Sequence, residues 1–332
     1  MTKVLISGNI HPAGMAVLEA EPGLEFETII DPGAELPMEK LADADALLIR
    51  YGVLSAEQAA RMPKLKVVSR HGVGCDNLPV AELGARGVPV TIVGPVNAVS
   101  VAEHVMAMLM ALIKRIGPYD AAVRSGNWTI RESLAVGEIS GRRLMLLGFG
   151  RIGREVARRA SAFDMDVLAY DPFVNGDDIR AAGCTPVGDW RAALAEVDVL
   201  SLHLPATPET RGMIGTAELA RMKPTAIVLN AARGGLIDEA ALHGALCGHM
   251  ANGGAGLDCF SAEPPPTDMP LLGLPNVVLS PHSAALSGEA AKRMGEVAAR
   301  NVVAGLKGAL DPALIFNRKA LEEAGHGMND PG

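Results

Sequence analysis

Short aliphatic runs alternate with amphipathic segments along almost the whole chain. In the first hundred residues, runs at 4–7, 25–30, 46–50, 67–70 and 88–93 predict β-strands, and segments 12–20, 38–42, 56–62 and 80–86 predict helices between them. Regular strand–helix alternation implies a parallel sheet covered by helices. A long apolar segment at 100–115, free of proline and glycine, predicts one long helix, and 117–140 reads as irregular, with an exposed turn at Ser125-Gly126-Asn127-Trp128. A second alternating series follows. Its predicted strands are 144–147, 167–170, 185–187, 199–203, 227–230, 256–259 and 277–280. A helix is expected at 239–246 and another at 288–306, the latter packing back on the first domain.

The expected fold is α/β: two Rossmann-like or flavodoxin-like domains with parallel sheets, linked by two crossing helices. The expected division is 1–99 plus 283–318, 100–282, and a mobile tail over 319–332.

One stretch sharpens this reading. The strand 144–147 runs into Gly148-Phe149-Gly150-Arg151-Ile152-Gly153, a helical segment follows, and the next strand ends on Asp171, 23 residues past Gly148. Strand, glycine turn, helix, strand and acid are the ordered parts of a dinucleotide-binding unit. Gly148 allows the turn, Gly150 lets a pyrophosphate approach, and Gly153 lets helix and strand pack. The helix N-terminus offers N–H groups to phosphate. Asp171 suits a ribose diol and repels a 2′-phosphate, and no cation follows in Pro172-Phe173-Val174-Asn175, so NAD is expected rather than NADP.

Composition adds exclusions. The net charge of −8, with no basic stretch, argues against nucleic acid as a partner. The longest apolar run is nine residues, Val105 onward, too short for a bilayer, so no membrane partner is expected. The N-terminus reads as a first strand rather than a signal peptide. Four cysteines without a CxxC suggest neither a zinc site nor a disulfide framework, and a reducing cytoplasm fits them.

Three polar residues stand where apolar strands end: Arg233 after 227–230, Glu263 after 256–259, and His282 after 277–280. Ligands of open parallel sheets bind at that edge. Three such residues together at one strand edge of a nucleotide-binding unit point to chemistry rather than to structure alone.

The runs His71-Gly72-Val73-Gly74-Cys75-Asp76-Asn77, Asn97-Ala98-Val99-Ser100-Val101-Ala102-Glu103-His104, the glycine turn, Ala231-Ala232-Arg233-Gly234-Gly235, Leu257-Asp258 to Glu263-Pro264, and Ser280-Pro281-His282 occur in that order. Over about residues 3–318 the chain resembles the D-isomer-specific 2-hydroxyacid dehydrogenases, in their phosphoglycerate dehydrogenase-like branch. The resemblance implies an NAD-dependent oxidoreductase of a small 2-hydroxy or 2-oxo acid, such as D-3-phosphoglycerate, glyoxylate/hydroxypyruvate, or a larger or sulfonated hydroxy acid. It implies that His282 is the acid/base, Glu263 its partner, and Arg233 the residue that binds the substrate carboxylate. It places Val73, Ile152, Leu204, Ala231, Ala232, Arg233, His282 and Ala284 against the cofactor, Arg151 beside the pyrophosphate, and Asp258 at the nicotinamide carboxamide. Backbone amides of Val73 and Gly74 would hold the substrate carboxylate, with Arg50 and His71 as further substrate contacts. Arg70 and Arg131 are further cations that could meet an anionic group. No metal is required. A homodimer associating through the nucleotide domain is expected, from the helix at 100–115 and the segment after it. His104 and His203 read as structural, and Cys75 as a small buried residue. The position of His71 commonly holds a small residue in the phosphoglycerate enzymes, and a C-terminal regulatory domain is expected to be absent. The alternative from another class is an NAD(H)-sensing binding protein of the same fold with little turnover; a glycine-rich methyltransferase would leave Arg233, Glu263 and His282 unexplained.

Overall fold

The computed structural model describes residues 1–30 and 35–326. The chain divides into two units, Met1–Asn97 with Leu286–Gly332, and Ala98–Ala285. It passes from the first to the second just before one long helix and returns just before another.

Unit 1 contains strands β1 (Thr2–Ser7), β2 (Leu24–Ile29), β3 (Ala46–Ile49), β4 (Val67–Arg70) and β5 (Val90–Thr91). All pair in parallel in the order β2-β1-β3-β4-β5, the flavodoxin-like winding. Helices α1 (Pro12–Glu19), α2 (Met38–Leu41), α3 (Ala56–Ala60) and α4 (Val80–Ala85) connect them. Side chains alternate across the strands. Leu5, Leu47, Ile49, Val68 and Val90 enter one core with Leu41, Met62 and Leu83. The expected strand at 88–93 narrows to two residues because its flanks bond elsewhere: Ile92 donates to the Leu314 carbonyl, and Val93 to that of Gly72.

Unit 2 begins with α5 (Ala98–Ile113) and α6 (Ile116–Arg124). Its strands are β6 (Arg143–Leu147), β7 (Asp166–Tyr170), β8 (Thr185–Pro186), β9 (Val199–Leu202), β10 (Ile227–Asn230), β11 (Gly254–Leu257) and β12 (Val277–Leu279). Between them lie α7 (Arg151–Ala162), α8 (Gly176–Ala181), α9 (Trp190–Ala193), α10 (Thr216–Leu219) and α11 (Glu239–Cys247). The parallel order β12-β11-β10-β9-β6-β7-β8 is the doubly wound nucleotide-binding order extended by one strand. Leu144 and Leu146 face a core shared with α5 and α7, whereas Met145 and Leu147 face the opposite core with Leu194, Leu219 and Leu242.

Two expectations in this unit are corrected. The irregular 117–140 segment contains α6: Arg115, with φ 50°, breaks α5, and a new helix starts at once. The strand expected at 256–259 lies two residues earlier. It is built of Gly254, Ala255 and Gly256 because α5 packs tightly on it; a Cβ on Gly256 would come 3.0 Å from Met108 Cβ. Asp258 and Cys259 therefore lie beyond the strand end.

The return helix α12 (Gly288–Lys307) covers the other face of the unit 1 sheet, where Ser69 Oγ donates to the Ala298 carbonyl at 2.9 Å. The expected mobile tail is also corrected. Residues Arg318–Glu323 form α13, docked by the buried Leu321 and by Asn317, whose amide bonds the backbone of Val88 and Val90. Tail residues 327–332 lie outside the described residues. Among the described residues no helix is long and apolar enough to cross a membrane.

Candidate active site

In unit 2 the turns after β6, β7, β9, β10, β11 and β12 all lie at the carboxyl edge of one parallel sheet. The glycine turn after β6 shows three different constraints. Gly148 has φ +97°, and a Cβ there would meet the His203 carbonyl oxygen at 2.3 Å. A Cβ on Gly153 would lie 2.3 Å from the Gly148 carbonyl oxygen, whereas one on Gly150 would meet nothing within 4 Å. The open face at Gly150 abuts the start of α7, whose N-cap carries no side-chain hydrogen bond. An uncapped 12-residue helix behind an open glycine fits a pyrophosphate.

Asp171 directly follows β7 and ties its turn to the glycine turn. Its Oδ2 accepts from the Phe149 N–H at 2.8 Å and its Oδ1 from the Phe173 N–H at 2.9 Å. It lines a cavity of about 350 Å³ with Tyr170, Val174, Ile179, Arg180 and Pro186. Arg180 escaped the sequence reading because it stands on α8, nine residues past Asp171. Its Nη1 is paired with Asp177 at 2.6 Å.

After β10, Arg233 is held by local backbone bonds: Asn230 Nδ2 donates to the Arg233 carbonyl at 2.8 Å, and Arg233 Nη1 donates to the Ala232 carbonyl at 2.6 Å. A Cβ on Gly234 would fall 1.8 Å from the Phe260 carbonyl oxygen, so only glycine lets this loop lie against the one after β11.

His282 and Glu263 meet. The imidazole Nδ1 lies 2.7 Å from Glu263 Oε2, and Glu263 Oε1 accepts from the Phe260 N–H at 3.0 Å. Burial raises the Glu263 carboxyl, but the bonds from His282 and Phe260 outweigh it and hold its pKa below the ordinary value. His282 adopts φ 50°, a left-handed conformation unusual for histidine, and its N–H donates to the Asp258 carbonyl at 2.8 Å.

The carboxylate of Asp258 is fully buried and shapes this turn. Oδ1 accepts from Ser280 Oγ at 2.6 Å and the Ser283 N–H at 2.8 Å, while Oδ2 accepts from the Ala284 N–H at 3.0 Å. His104 on α5 joins through Ser280 Oγ at 2.7 Å. The sequence reading of His104 as a packing residue missed this chain; a lone histidine in an apolar helix was the available signal. Cys259, also buried, has its thiol pKa pushed up by burial and by the carboxylates of Asp258 and Glu263, against the pull of Arg233. His203 bonds Ser201 Oγ at 2.9 Å, and burial lowers its pKa to about 4, as befits a structural residue. Ile152, Leu204, Ala231, Ala232 and Ala284 pack against the two unit 2 cores, and Arg151 opens α7. Arg131 pairs with Glu132 at 3.0 Å on an exposed segment.

In unit 1, Arg70 holds the turn that follows β4: its Nε donates to the Gly74 carbonyl at 2.8 Å and its Nη1 to that of Arg50 at 2.7 Å. Arg50 donates to the Asn9 carbonyl and lies 4.6 Å over the Tyr51 ring. The N–H groups of Val73 and Gly74 donate to no backbone carbonyl among the described residues. His71 is 5% exposed, and neither ring nitrogen has a partner among the described residues. Burial, with the charge of Arg50 behind it, lowers its pKa to about 4. Cys75 is buried.

Residues 106–284 match the family model described as D-isomer specific 2-hydroxyacid dehydrogenase, NAD binding domain. The chain is 41% identical over 313 residues to D-3-phosphoglycerate dehydrogenase of Mycobacterium tuberculosis, which covers 94% of this chain and 58% of that protein. It therefore spans little more than half the length of that relative. It is 39% identical over 319 residues to glyoxylate reductase of Korarchaeum cryptofilum, covering 94% and 95% of the two chains. Among solved structures, D-lactate dehydrogenase of Aquifex aeolicus, complexed with NAD and lactic acid, superimposes with a TM-score of 0.83 at 30% identity, covering 92% of this chain and 96% of that one.

Proposed function

Because the chain belongs to the D-isomer-specific 2-hydroxyacid dehydrogenase family, we propose that it interconverts a small 2-hydroxy acid and its 2-oxo acid with NAD, His282 moving the proton. The observation that carries this reading is the His282–Glu263 pair, 2.7 Å apart at the carboxyl edge of the nucleotide-unit sheet.

The open face of Gly150, the N–H groups at the start of α7 and the Asp171 carboxylate are the residues that would hold the cofactor. NAD, when bound, takes up the hydride from C2 in oxidation and, as NADH, supplies it in reduction. The protein does the rest. Glu263 fixes the imidazole through Nδ1, which leaves Nε2 to exchange the proton with the substrate oxygen. The carboxylate also stabilises the imidazolium. Arg233 supplies a planar cation for a carboxylate and for a polarised carbonyl oxygen. Asp258, with His104 and Ser280, holds the 280–284 turn and thereby the histidine. The substrate roles of Arg50, His71, Val73 and Gly74, and the cofactor role of Val73, are carried over from the resemblance; the two N–H groups of the Val73-Gly74 turn suit a carboxylate.

The substrate is drawn from the class that the relatives' names define: D-3-phosphoglycerate, glyoxylate or hydroxypyruvate, or lactate. A panel of 2-oxo acids with NADH, followed by loss of nicotinamide absorbance, tests the reaction; no turnover with any of them overturns it. A homodimer is the proposed assembly. The apolar face of α5 is accounted for by burial within unit 2, so the association is assigned to the arm after it, where Ile116, Val123, Trp128 and Leu134 are exposed. A monomer mass by light scattering at micromolar concentration excludes that. Four free thiols favour the reducing cytoplasm as its location.

A further inference from the structure

Cysteine spacing alone gave no hint of a metal site, but the fold brings a thiol close to the His282–Glu263 pair. Cys259 Sγ, a Glu263 carboxylate oxygen and a His282 ring nitrogen all lie within 4.8 Å of one another. One sulfur, one nitrogen and one oxygen are a zinc-type ligand set, with the fourth tetrahedral position left to water. We infer that Cys259, Glu263 and His282 form an inhibitory site for a thiophilic divalent cation such as Zn²⁺.

The geometry is close to what such an ion needs. Bonds of about 2.0–2.3 Å place tetrahedral ligands roughly 3.5 Å apart. With all three atoms already within 4.8 Å of one another, the sulfur has at most about 1.3 Å to close, while the His282–Glu263 contact of 2.7 Å opens by about 0.8 Å. Both of those side chains are partly exposed, 46% and 37%, and have room to move. Cys259, 2% exposed, is the buried member of the trio. Glu263 keeps its Oε1 bond to the Phe260 N–H, so its Oε2 stays aimed.

The charges also balance. With His282 protonated, the trio carries one imidazolium, one carboxylate and one neutral thiol. A dication entering this group displaces the thiol proton and the proton shared by His282 and Glu263. It leaves thiolate, carboxylate and neutral imidazole around a charge of +2, so net charge is conserved as two protons leave. The buried Asp258 carboxylate next in sequence favours the cation, and Arg233 opposes it. Binding stands independently of the proposed reaction; the inhibition rests on it, because the ion occupies the nitrogen and carboxylate that orient the acid/base.

The test uses Co²⁺ as a spectroscopic probe and Zn²⁺ as inhibitor on the full chain. Wild type should show a thiolate-to-cobalt charge-transfer band, and Zn²⁺ should suppress turnover in a manner reversed by EDTA. Cys259→Val should lose the band, keep turnover, and need at least tenfold more Zn²⁺ for the same inhibition. Cys259→Ser, closer in shape, should also lose the band, which covers a folding defect in the valine variant. A rival thiol lies on α11, where Cys247 Sγ is 3.5 Å from His243 Nε2. If the band survives Cys259→Val, or vanishes with Cys247→Ser, the inference is overturned. Should no 2-oxo acid be turned over, the cobalt band still decides the metal site.

Discussion

His282 and Glu263 form a fixed pair, with Nδ1 2.7 Å from Oε2 and the far carboxylate oxygen tied to the Phe260 N–H. The pair fixes which ring nitrogen is free. It also sets a direction for pH dependence. Reduction uses the imidazolium, which the carboxylate stabilises, so Glu263→Gln should move the alkaline limb of the reductive kcat/KM profile to lower pH. Oxidation uses the neutral ring, and its acidic limb should move the same way. His282→Ala should cost roughly 10²–10⁴ in rate while NADH binding persists. Paired pH–rate profiles read both effects. If the limbs stay in place in Glu263→Gln, Glu263 is not the partner.

His71 predicts an acid sensitivity. Its pKa is lowered to about 4 from 6.5 in the folded chain, chiefly by burial. The unfolded chain therefore binds the proton first. The contribution is fully present above the unfolded value of 6.5 and is lost as pH falls toward 4. Between about pH 7 and about pH 5 the loss is about 2 kcal/mol. His71→Leu should lose correspondingly less stability over that interval in urea titrations. Equal losses in the two proteins would refute the burial of a neutral ring.

Cofactor choice follows from Asp171, whose carboxylate oxygens both point into the turn network beside the Arg180 cavity. NAD(H) should be preferred over NADP(H). Asp171→Ser keeps an acceptor for the Phe149 N–H but removes the charge. It should erode the preference by about tenfold to a hundredfold, the ~1.5–3 kcal/mol of a hydrogen bond to a charged group. The comparison is kcat/KM for NADH and NADPH; an unchanged ratio rules out Asp171 as the selector.

Most strands were legible because Val, Ile and Leu mark them: Val67–Arg70 and Ile227–Asn230 have the expected bounds. The β11 strand was displaced because its signal is small residues chosen by α5 rather than apolarity of its own. Helix α6 was hidden by Gly117 and Pro118, which sit in its first turn, where proline is tolerated. Single residues at strand ends were readable because topology alone puts them on one edge. Relations across loops were not. Neither the Asp258–Ser280–His104 chain nor the approach of Cys259 to His282 leaves a periodic trace, since both depend on how the loops after β11 and β12 pack, the first with α5 as well. The tail helix was missed because a polar, short segment is docked by one leucine and one asparagine.

The glycine turn separates a ligand constraint from a folding constraint. A Cβ at Gly150 meets nothing in the chain, while one at Gly153 would come 2.3 Å from the Gly148 carbonyl oxygen. If the empty space at Gly150 is the path of the pyrophosphate, Gly150→Ala should leave stability within about 0.5 kcal/mol of wild type. Its NADH affinity should nonetheless fall at least tenfold, because the methyl group takes the place of a phosphate oxygen. Gly153→Ala should behave in the opposite order. Overpacking helix against turn costs about 1–3 kcal/mol, and weaker binding then follows from a disturbed α7. Thermal denaturation with and without NADH, alongside fluorescence titration of the cofactor, reads the two quantities separately. The decisive comparison is Gly150→Ala. Unchanged NADH affinity in a stable protein would remove the pyrophosphate from that face of the turn.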